Sequence, residues 1–152
     1  MNIFTHIHNH GDQKISPNLC GQLELALSHL TPRQSLPTRA LRVLIIDELT
    51  HLGWSDRIKV STKTNITVTS QFGDIGLCLQ TGNMGRFYAD ILKLQTLFRE
   101  DSIKAGIYVI PTKAEAKNIG SNIAHYDRFV EELNVFAKTI TIPLIVFGFE
   151  RG

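Results

Sequence analysis

Apolar positions in the first third of the chain recur at helical spacing. Residues 18–30 and 38–52 each carry apolar side chains at intervals of three and four, and Gly53 follows the second stripe. Asn18 and Thr38 can cap the first turns of these segments, because short polar side chains accept hydrogen bonds from free backbone amides. The pattern predicts two helices, separated by a break that contains two prolines.

The middle of the chain changes to strict alternation. Apolar and polar residues alternate through 58–60, 66–72 and 75–79, which is the period of strands with two different faces. Turn-forming residues occupy 63–65 and 72–74. The pattern predicts an antiparallel meander of three strands.

The last part returns to a mixture of helical and strand patterns. Helical spacing over 83–98 and 122–138 is interrupted by a short apolar run at 105–110 and followed by another at 142–148. A strand, a crossover helix and a strand favour parallel pairing. The chain is therefore predicted to be an α/β domain of three layers, with a mixed five-stranded sheet flanked by helices. Residues 1–16 are polar and irregular and are predicted to be an N-terminal arm.

Composition narrows the possible classes of function. The 152 residues suit a single domain, 1–152, and 43% are apolar, which is enough for a core without disulfides or a structural metal. No apolar run is long enough to span a membrane, no secretory signal is visible, and the two cysteines suit a cytoplasmic location. A net charge of +2 excludes a histone-like polycation, but it permits a nucleic-acid protein whose positive charge is local.

Residues 77–95 form the most informative motif. Their sequence, LCLQTGNMGRFYADILKLQ, joins a strand ending in glutamine to a Gly-Asn turn and a helix with an aromatic residue, an aspartate and a Leu-Lys pair. The segment resembles the active-site strand and helix of PD-(D/E)XK restriction endonucleases of the BglII/BstYI type. Gly53-Trp54 and the segments 103–113 and 143–148 extend the resemblance. The implied nuclease-like core covers residues 36–149.

This resemblance implies a double-stranded DNA partner and Mg²⁺-dependent phosphodiester hydrolysis, in which carboxylates hold the ion that activates the attacking water. It gives Gln80 the catalytic role of orienting that water, and it makes the backbone carbonyl of Leu79 a metal ligand. Cys78, however, stands at the position of a metal-binding glutamate. A thiol is a poor ligand for a hard cation. Mg²⁺ is therefore expected only if the protein is active, and cleavage is expected to be weakened or lost.

Two carboxylates could rebuild the catalytic site. Asp74 lies four residues before Cys78 and could bind the metal if the chain bends sharply at Gly73; alternatively it is an ordinary turn aspartate. Glu48 lies on the stripe side of the second predicted helix, where nucleases of this class sometimes carry an extra carboxylate. Its alternative is a helix-end glutamate that reaches solvent.

Basic side chains supply candidate DNA contacts. Arg86 lies at a helix N-terminus, where free amides suit a phosphate, and Lys93 lies farther along that helix. Lys113 follows a strand end, where ligands gather in open α/β sheets. The resemblance implies a homodimer that reads a palindrome. The alternative is a non-catalytic protein-interaction domain that pairs through the helix bearing Phe87 and Tyr88, or through an edge strand.

Three alternating histidines form a separate cluster near the start of the chain. His6, His8 and His10 would project to one side of an extended segment. Imidazoles so placed could bind Zn²⁺ or Ni²⁺, or the segment could contact DNA. A frayed polar segment is the other interpretation.

Overall fold

A mixed sheet of five strands separates two layers of helices. The computed structural model describes residues 1–152. None of the helices is long and apolar enough to cross a membrane. In chain order the elements are β1 (Asn2–His8), α1 (Gly11–Lys14), α2 (Pro17–His29), α3 (Thr38–His51), β2 (Ile58–Lys59), β3 (Thr67–Val68), β4 (Ser70–Phe72), β5 (Ile75–Leu79), α4 (Arg86–Arg99), β6 (Ala105–Pro111), α5 (Lys113–Ile119), α6 (Tyr126–Val135) and β7 (Leu144–Glu150).

The strand order in the large sheet is β1-β7-β6-β5-β4. The three central strands β5, β6 and β7 run parallel, whereas β1 and β4 are antiparallel edge strands. The three parallel strands therefore end along one edge of the sheet, at Leu79, Pro111 and Glu150. The predicted three-layer α/β domain with a mixed five-stranded sheet is confirmed.

Each face of the sheet has its own core, because successive side chains of a strand point to opposite sides. Ile107 and Phe147 pack on the side of α2 and α3. Tyr108 and Val146, one position along, pack on the side of α4 and α6, where they meet Phe129. Full burial of each such side chain contributes about 1.5–3 kcal/mol, so the two layers hold the strand ends in fixed positions.

The prediction of an irregular arm at residues 1–16 is wrong. Asn2–His8 forms β1, which pairs with β7 from Asn2 opposite Glu150 to His8 opposite Leu144. The predicted meander is also wrong in part. Its first strand, β2, pairs only with β3 in a separate two-stranded sheet. The large sheet thus has five strands, as predicted, but its fifth strand is β1 and not the predicted strand at 58–60.

Helix boundaries differ from the sequence pattern where side chains cap the backbone. The helix predicted for 122–138 is shorter at both ends and forms α6. Its start is set by His125, whose Nδ1 accepts a hydrogen bond from the backbone N–H of Arg128 at 3.3 Å. The short helix α5 was not predicted. Thr112 starts it, since its Oγ1 accepts from the N–H of Glu115 at 3.2 Å.

The three histidines near the start of the chain do not form a metal site. His8 Nε2 lies 2.7 Å from the carbonyl oxygen of Ile140, and His10 turns away with φ of 62°. His6 Nε2 is buried without a hydrogen-bond partner, and burial, with a smaller effect of His8, lowers the pKa of His6. No group of three or more His, Cys, Asp or Glu side chains is placed to hold a metal ion.

A buried ion pair joins Arg151, after β7, to helix α5, and the same arginine also contacts the break between α2 and α3. Glu115 of α5 is fully buried, and its Oε1 accepts from Arg151 Nε at 2.7 Å while Oε2 accepts from the Arg151 backbone N–H at 2.9 Å. Arg151 Nη1 also donates to the carbonyls of Arg33 and Leu36, at 3.2 and 3.0 Å. This arginine therefore fixes the break between α2 and α3 against the carboxyl ends of the parallel strands.

Candidate nucleic-acid interface

A cleft of about 940 Å³ opens where β5 ends. Helix α3 forms one wall, helix α4 forms another, and the segment from α3 to β4 closes the third side. The lining residues are Arg42, Ile46, Leu49, Ser55, Asp56, Arg57, Thr67, Thr69, Ser70, Cys78, Leu79, Gln80, Thr81, Gly82, Arg86, Ala89, Asp90 and Lys93.

Positive charge dominates the cleft. Arg42, Arg57, Arg86 and Lys93 face it, against two carboxylates, Asp56 and Asp90. Burial lowers the pKa of the Arg42 guanidinium; Asp90 raises it, whereas the charges of Arg57 and Arg86 lower it further. Arg42 is thus close enough to be affected by the charges of both other arginines. The cleft concentrates cations on a chain whose net charge is only +2.

Asp90 is the centre of a buried hydrogen-bond network. Its Oδ2 accepts from Gln80 Nε2 at 2.6 Å and from the Tyr108 hydroxyl at 2.9 Å, and its Oδ1 accepts from Lys93 Nζ at 3.2 Å. Gln80 Oε1 in turn accepts from the N–H of Gly82 at 2.7 Å. Burial, followed by the charge of Asp90, raises the pKa of Tyr108 well above its ordinary value. Tyr108 therefore stays protonated and holds the carboxylate in place.

Arg42 donates a hydrogen bond to the Leu79 carbonyl, the group that the resemblance assigned as a metal ligand. Its Nη1 donates to the Leu79 carbonyl oxygen at 3.0 Å and to Thr81 Oγ1 at 3.1 Å. Arg42 lies on α3, so this contact spans the cleft from a helix to the end of β5. A side-chain cation therefore interacts with the Leu79 oxygen.

The remaining groups beside Leu79 are neutral. Cys78 is 1% exposed, and burial together with the charge of Asp90 raises the pKa of its thiol far above the usual range. Thr69 Oγ1 accepts from the backbone N–H of Leu79 at 3.0 Å. Cys78 thus supplies neither a carboxylate nor a thiolate at the position of the family's glutamate.

These donors do not fit a magnesium ion. Mg²⁺ requires octahedral oxygen ligands, normally including one or two carboxylates. The buried carboxylate of Asp90 already accepts from three donors, and the Leu79 carbonyl contacts Arg42. This leaves the exposed Asp56 as a single free carboxylate in the lining. The cleft therefore lacks the ligand set that the resemblance implied.

Four of the predicted site residues come together in this cleft. Leu79, Gln80, Arg86 and Lys93 all line it. The side-chain amide of Gln80 is not free to orient a water molecule, however. Its Nε2 donates to Asp90, and its Oε1 accepts from the N–H of Gly82. Its contacts are those of a residue that positions the carboxylate.

The structure does not bring the other three to the cleft. Asp74 precedes β5, at the opposite end of the strand from Gln80; its side chain is 57% exposed and pairs with Lys104 at 3.3 Å. Glu48 is half-buried on α3, and its Oε2 lies 4.0 Å from His51 Nδ1. The backbone N–H of Lys113 donates to Asp127, and its side chain is exposed near the same sheet edge, outside the cleft.

Sequence reasoning missed Arg42, Arg57 and Asp90. Asp90 lies within the motif at residues 77–95 and three residues before Lys93, so an ion pair on one helix face was a visible signal. Arg42 follows the buried Leu41 and had no such signal, because only the packing of α3 beside β5 brings it to the Leu79 carbonyl.

Comparisons with known proteins agree on one family and one fold. The family model of restriction endonuclease BglII/BglIII matches residues 3–149. The structure of BglII complexed with a DNA 16-mer superposes with a TM-score of 0.81 and 16% identity, over 97% of this chain and 76% of that one. Free BglII gives 0.76 and 20% identity, over 100% of this chain and 81% of that one. No curated protein sequence matches significantly.

Proposed function

This chain belongs to the BglII/BglIII restriction endonuclease family, and from that premise we propose that it binds double-stranded DNA through the cleft at the end of β5. Family and fold support a DNA-binding, nuclease-like function. The observation that carries the proposal is the convergence of Arg42, Arg57, Arg86 and Lys93 on one cleft. Phosphate contacts from such side chains release counterions and supply most of the affinity for a duplex.

The chemistry proposed for this site is binding without efficient hydrolysis. Metal-assisted cleavage depends on carboxylates that hold the cation beside the scissile phosphate. Cys78 supplies none, and neither Asp74 nor Glu48 lines the cleft. Of the two carboxylates that do line it, Asp90 is held by three donors and Asp56 is exposed. Lys113, exposed at the same sheet edge, is proposed as an outer contact to the DNA backbone. The cytoplasmic location expected from the two free cysteines also remains a proposal.

We expect duplex DNA to bind with a strong dependence on salt. Four phosphate contacts predict that log K falls against log[salt] with a slope of about −3 to −4, measured by fluorescence anisotropy. Arg86→Gln should weaken binding and reduce the slope by about one. Arg99→Gln, on the exposed end of the same helix, is the matched control and should leave the slope unchanged.

A slope indistinguishable from zero would refute phosphate-dominated binding. In the same buffers with Mg²⁺, supercoiled plasmid is expected to stay uncut. Cleavage by the wild-type protein would contradict the proposed loss of hydrolysis. Comparison with Asp74→Ala and Glu48→Ala would then show whether either carboxylate takes part.

An exposed apolar patch favours a second role, the pairing of two copies. The Tyr88 ring of α4 packs edge-on against the ring of Phe136, at the end of α6, with centroids 6.2 Å apart. Leu92, one turn after Tyr88 on α4, and Val135, next to Phe136 in the chain, are also exposed. Leu92 is 68% exposed and Val135 77%, and contiguous exposed apolar surface usually marks an interface. Because α4 also lines the cleft, pairing through this patch would relate two clefts by a two-fold axis, which matches the symmetry of a duplex.

We expect the wild-type protein to elute as a dimer of its 17.1 kDa chain. In size-exclusion chromatography with light scattering, the double variant Leu92→Glu/Val135→Glu should be monomeric, because two buried charges disfavour the interface. Val43→Glu, at an exposed position of α3 in the other helical layer, is the control and should remain dimeric. A wild-type monomer at micromolar concentration would exclude this pairing. A dimer that binds no DNA would instead favour a non-catalytic interaction domain.

A further inference from the structure

We propose that Arg42 takes the place of a divalent cation in this cleft, so that the protein binds a DNA phosphate directly and without metal. The inference rests on the proposed DNA-binding function. The groups around Leu79 do not fit the Mg²⁺ ion that the family resemblance implies.

The geometry anchors Arg42 as a fixed cation. Its contacts within the protein come from one nitrogen, Nη1, which donates to the Leu79 carbonyl and to Thr81 Oγ1. The N–H groups on Nε and Nη2 have no protein partner. A guanidinium presents its donors in a planar fork that matches two phosphate oxygens. Arg42 is therefore oriented by the end of β5 and keeps donors for a ligand.

Neighbouring charges make the same space suitable for an anion. Burial is the main cause that lowers the pKa of Arg42; Asp90 raises it, and Arg57 and Arg86 are close enough to lower it further. Three guanidinium groups that line one cleft repel one another, and a bound phosphate relieves that repulsion. The charge arrangement thus favours a DNA phosphate at this position.

The same charges disfavour a divalent cation. Two oxygens at the end of β5 that could bind a metal, Leu79 O and Asp90 Oδ1, contact Arg42 Nη1 at 3.0 Å and Lys93 Nζ at 3.2 Å. The only other carboxylate in the lining, Asp56, is exposed and is a single ligand. A dication would have to displace one side-chain cation from each oxygen while four positive groups line the cleft. The side chains of Arg42 and Lys93 therefore already supply a positive charge to both oxygens.

The first test measures metal binding by the free protein. Calorimetric titration of the full chain with Mn²⁺ is expected to give no saturable binding in the micromolar range. DNA affinity, measured by anisotropy at matched ionic strength, is expected to agree within about twofold between EDTA and Mg²⁺. Saturable micromolar Mn²⁺ binding, or a tenfold gain in DNA affinity with Mg²⁺, would overturn the proposal.

The second test examines Arg42 itself. Arg42→Gln should weaken DNA binding by about tenfold or more and reduce the salt slope by about one, since a charge-assisted contact is lost. Arg42→Lys, which keeps the charge, should retain more affinity than Arg42→Gln and the wild-type slope. Arg39→Gln, exposed on the same helix, should stay within twofold of wild type. Thermal unfolding of each variant identifies any that fails to fold.

These measurements separate the two proposals. If Arg42→Gln folds and binds DNA like the wild-type protein, the role of Arg42 is refuted while DNA binding stands. If the wild-type protein binds no duplex in any buffer, the proposed function fails. The Mn²⁺ titration then still decides whether the cleft excludes a divalent cation.

Discussion

Replacing Glu115 with alanine is expected to lower the free energy of unfolding by about 3–5 kcal/mol. Glu115 and Arg151 are 0% and 2% exposed at the side chain, so the variant leaves an uncompensated guanidinium in the interior. Urea denaturation followed by circular dichroism measures the change. The effect should be a shift of the midpoint with an unchanged slope, because the folded state stays compact.

A double variant and a surface pair test whether burial causes this effect. Glu115→Leu/Arg151→Met removes both charges and should cost much less than Glu115→Ala, since no unpaired charge remains buried. Asp74→Ala breaks the exposed pair with Lys104, whose side chains are 57% and 55% exposed, and should change stability by at most about 1 kcal/mol. Equal losses for Glu115→Ala and Asp74→Ala would contradict this account.

Asp90→Ala is expected to destabilise the protein by about 2–5 kcal/mol, because the Tyr108 hydroxyl and the Gln80 amide both lose their acceptor. Asp90→Asn should cost only about 1 kcal/mol. Its amide oxygen can still accept from both groups at the position of Oδ2, and only the pair with Lys93 is lost.

The same Asp90→Asn variant is expected to bind DNA more tightly. It removes a negative charge from the cleft and releases Lys93, so duplex affinity should rise by about two- to tenfold with a steeper salt slope. Anisotropy titrations beside urea denaturation would therefore show a variant that is less stable and a better binder. Weaker binding by a folded Asp90→Asn protein would mean that the carboxylate supports DNA contact.

The parts of the fold that depend on local pattern were accessible from the sequence. The apolar runs of β6 and β7 and the stripes of α2, α3 and α4 predicted the central strands and most of the helices. Strand β1 was not accessible, because Phe4 and Ile7 are exposed on the edge and leave no regular alternation. Its strand state depends on pairing with β7, which lies about 140 residues away.

In the site, too, the residues set by local pattern could be predicted, whereas those placed by tertiary packing could not. Gln80, Arg86 and Lys93 lie within one continuous motif, and their placement in the cleft follows from one strand and one helix. Arg42 reaches the cleft only through the packing of α3 against the sheet, which no local pattern encodes. Asp74 was close to Cys78 in sequence, but the extended strand β5 carries it to the far end.

The position of β7 between β1 and β6 also determines when the sheet can be completed. Residues 2–8 leave the ribosome before residues 144–150 and have no partner strand until those residues follow. At about 5–20 residues per second, the 135 residues between His8 and Leu144 take about 7–27 s to synthesise. During that interval the β1 segment has no strand to pair with and carries the apolar residues Phe4 and Ile7, so it is open to pairing with other chains until β7 has been made.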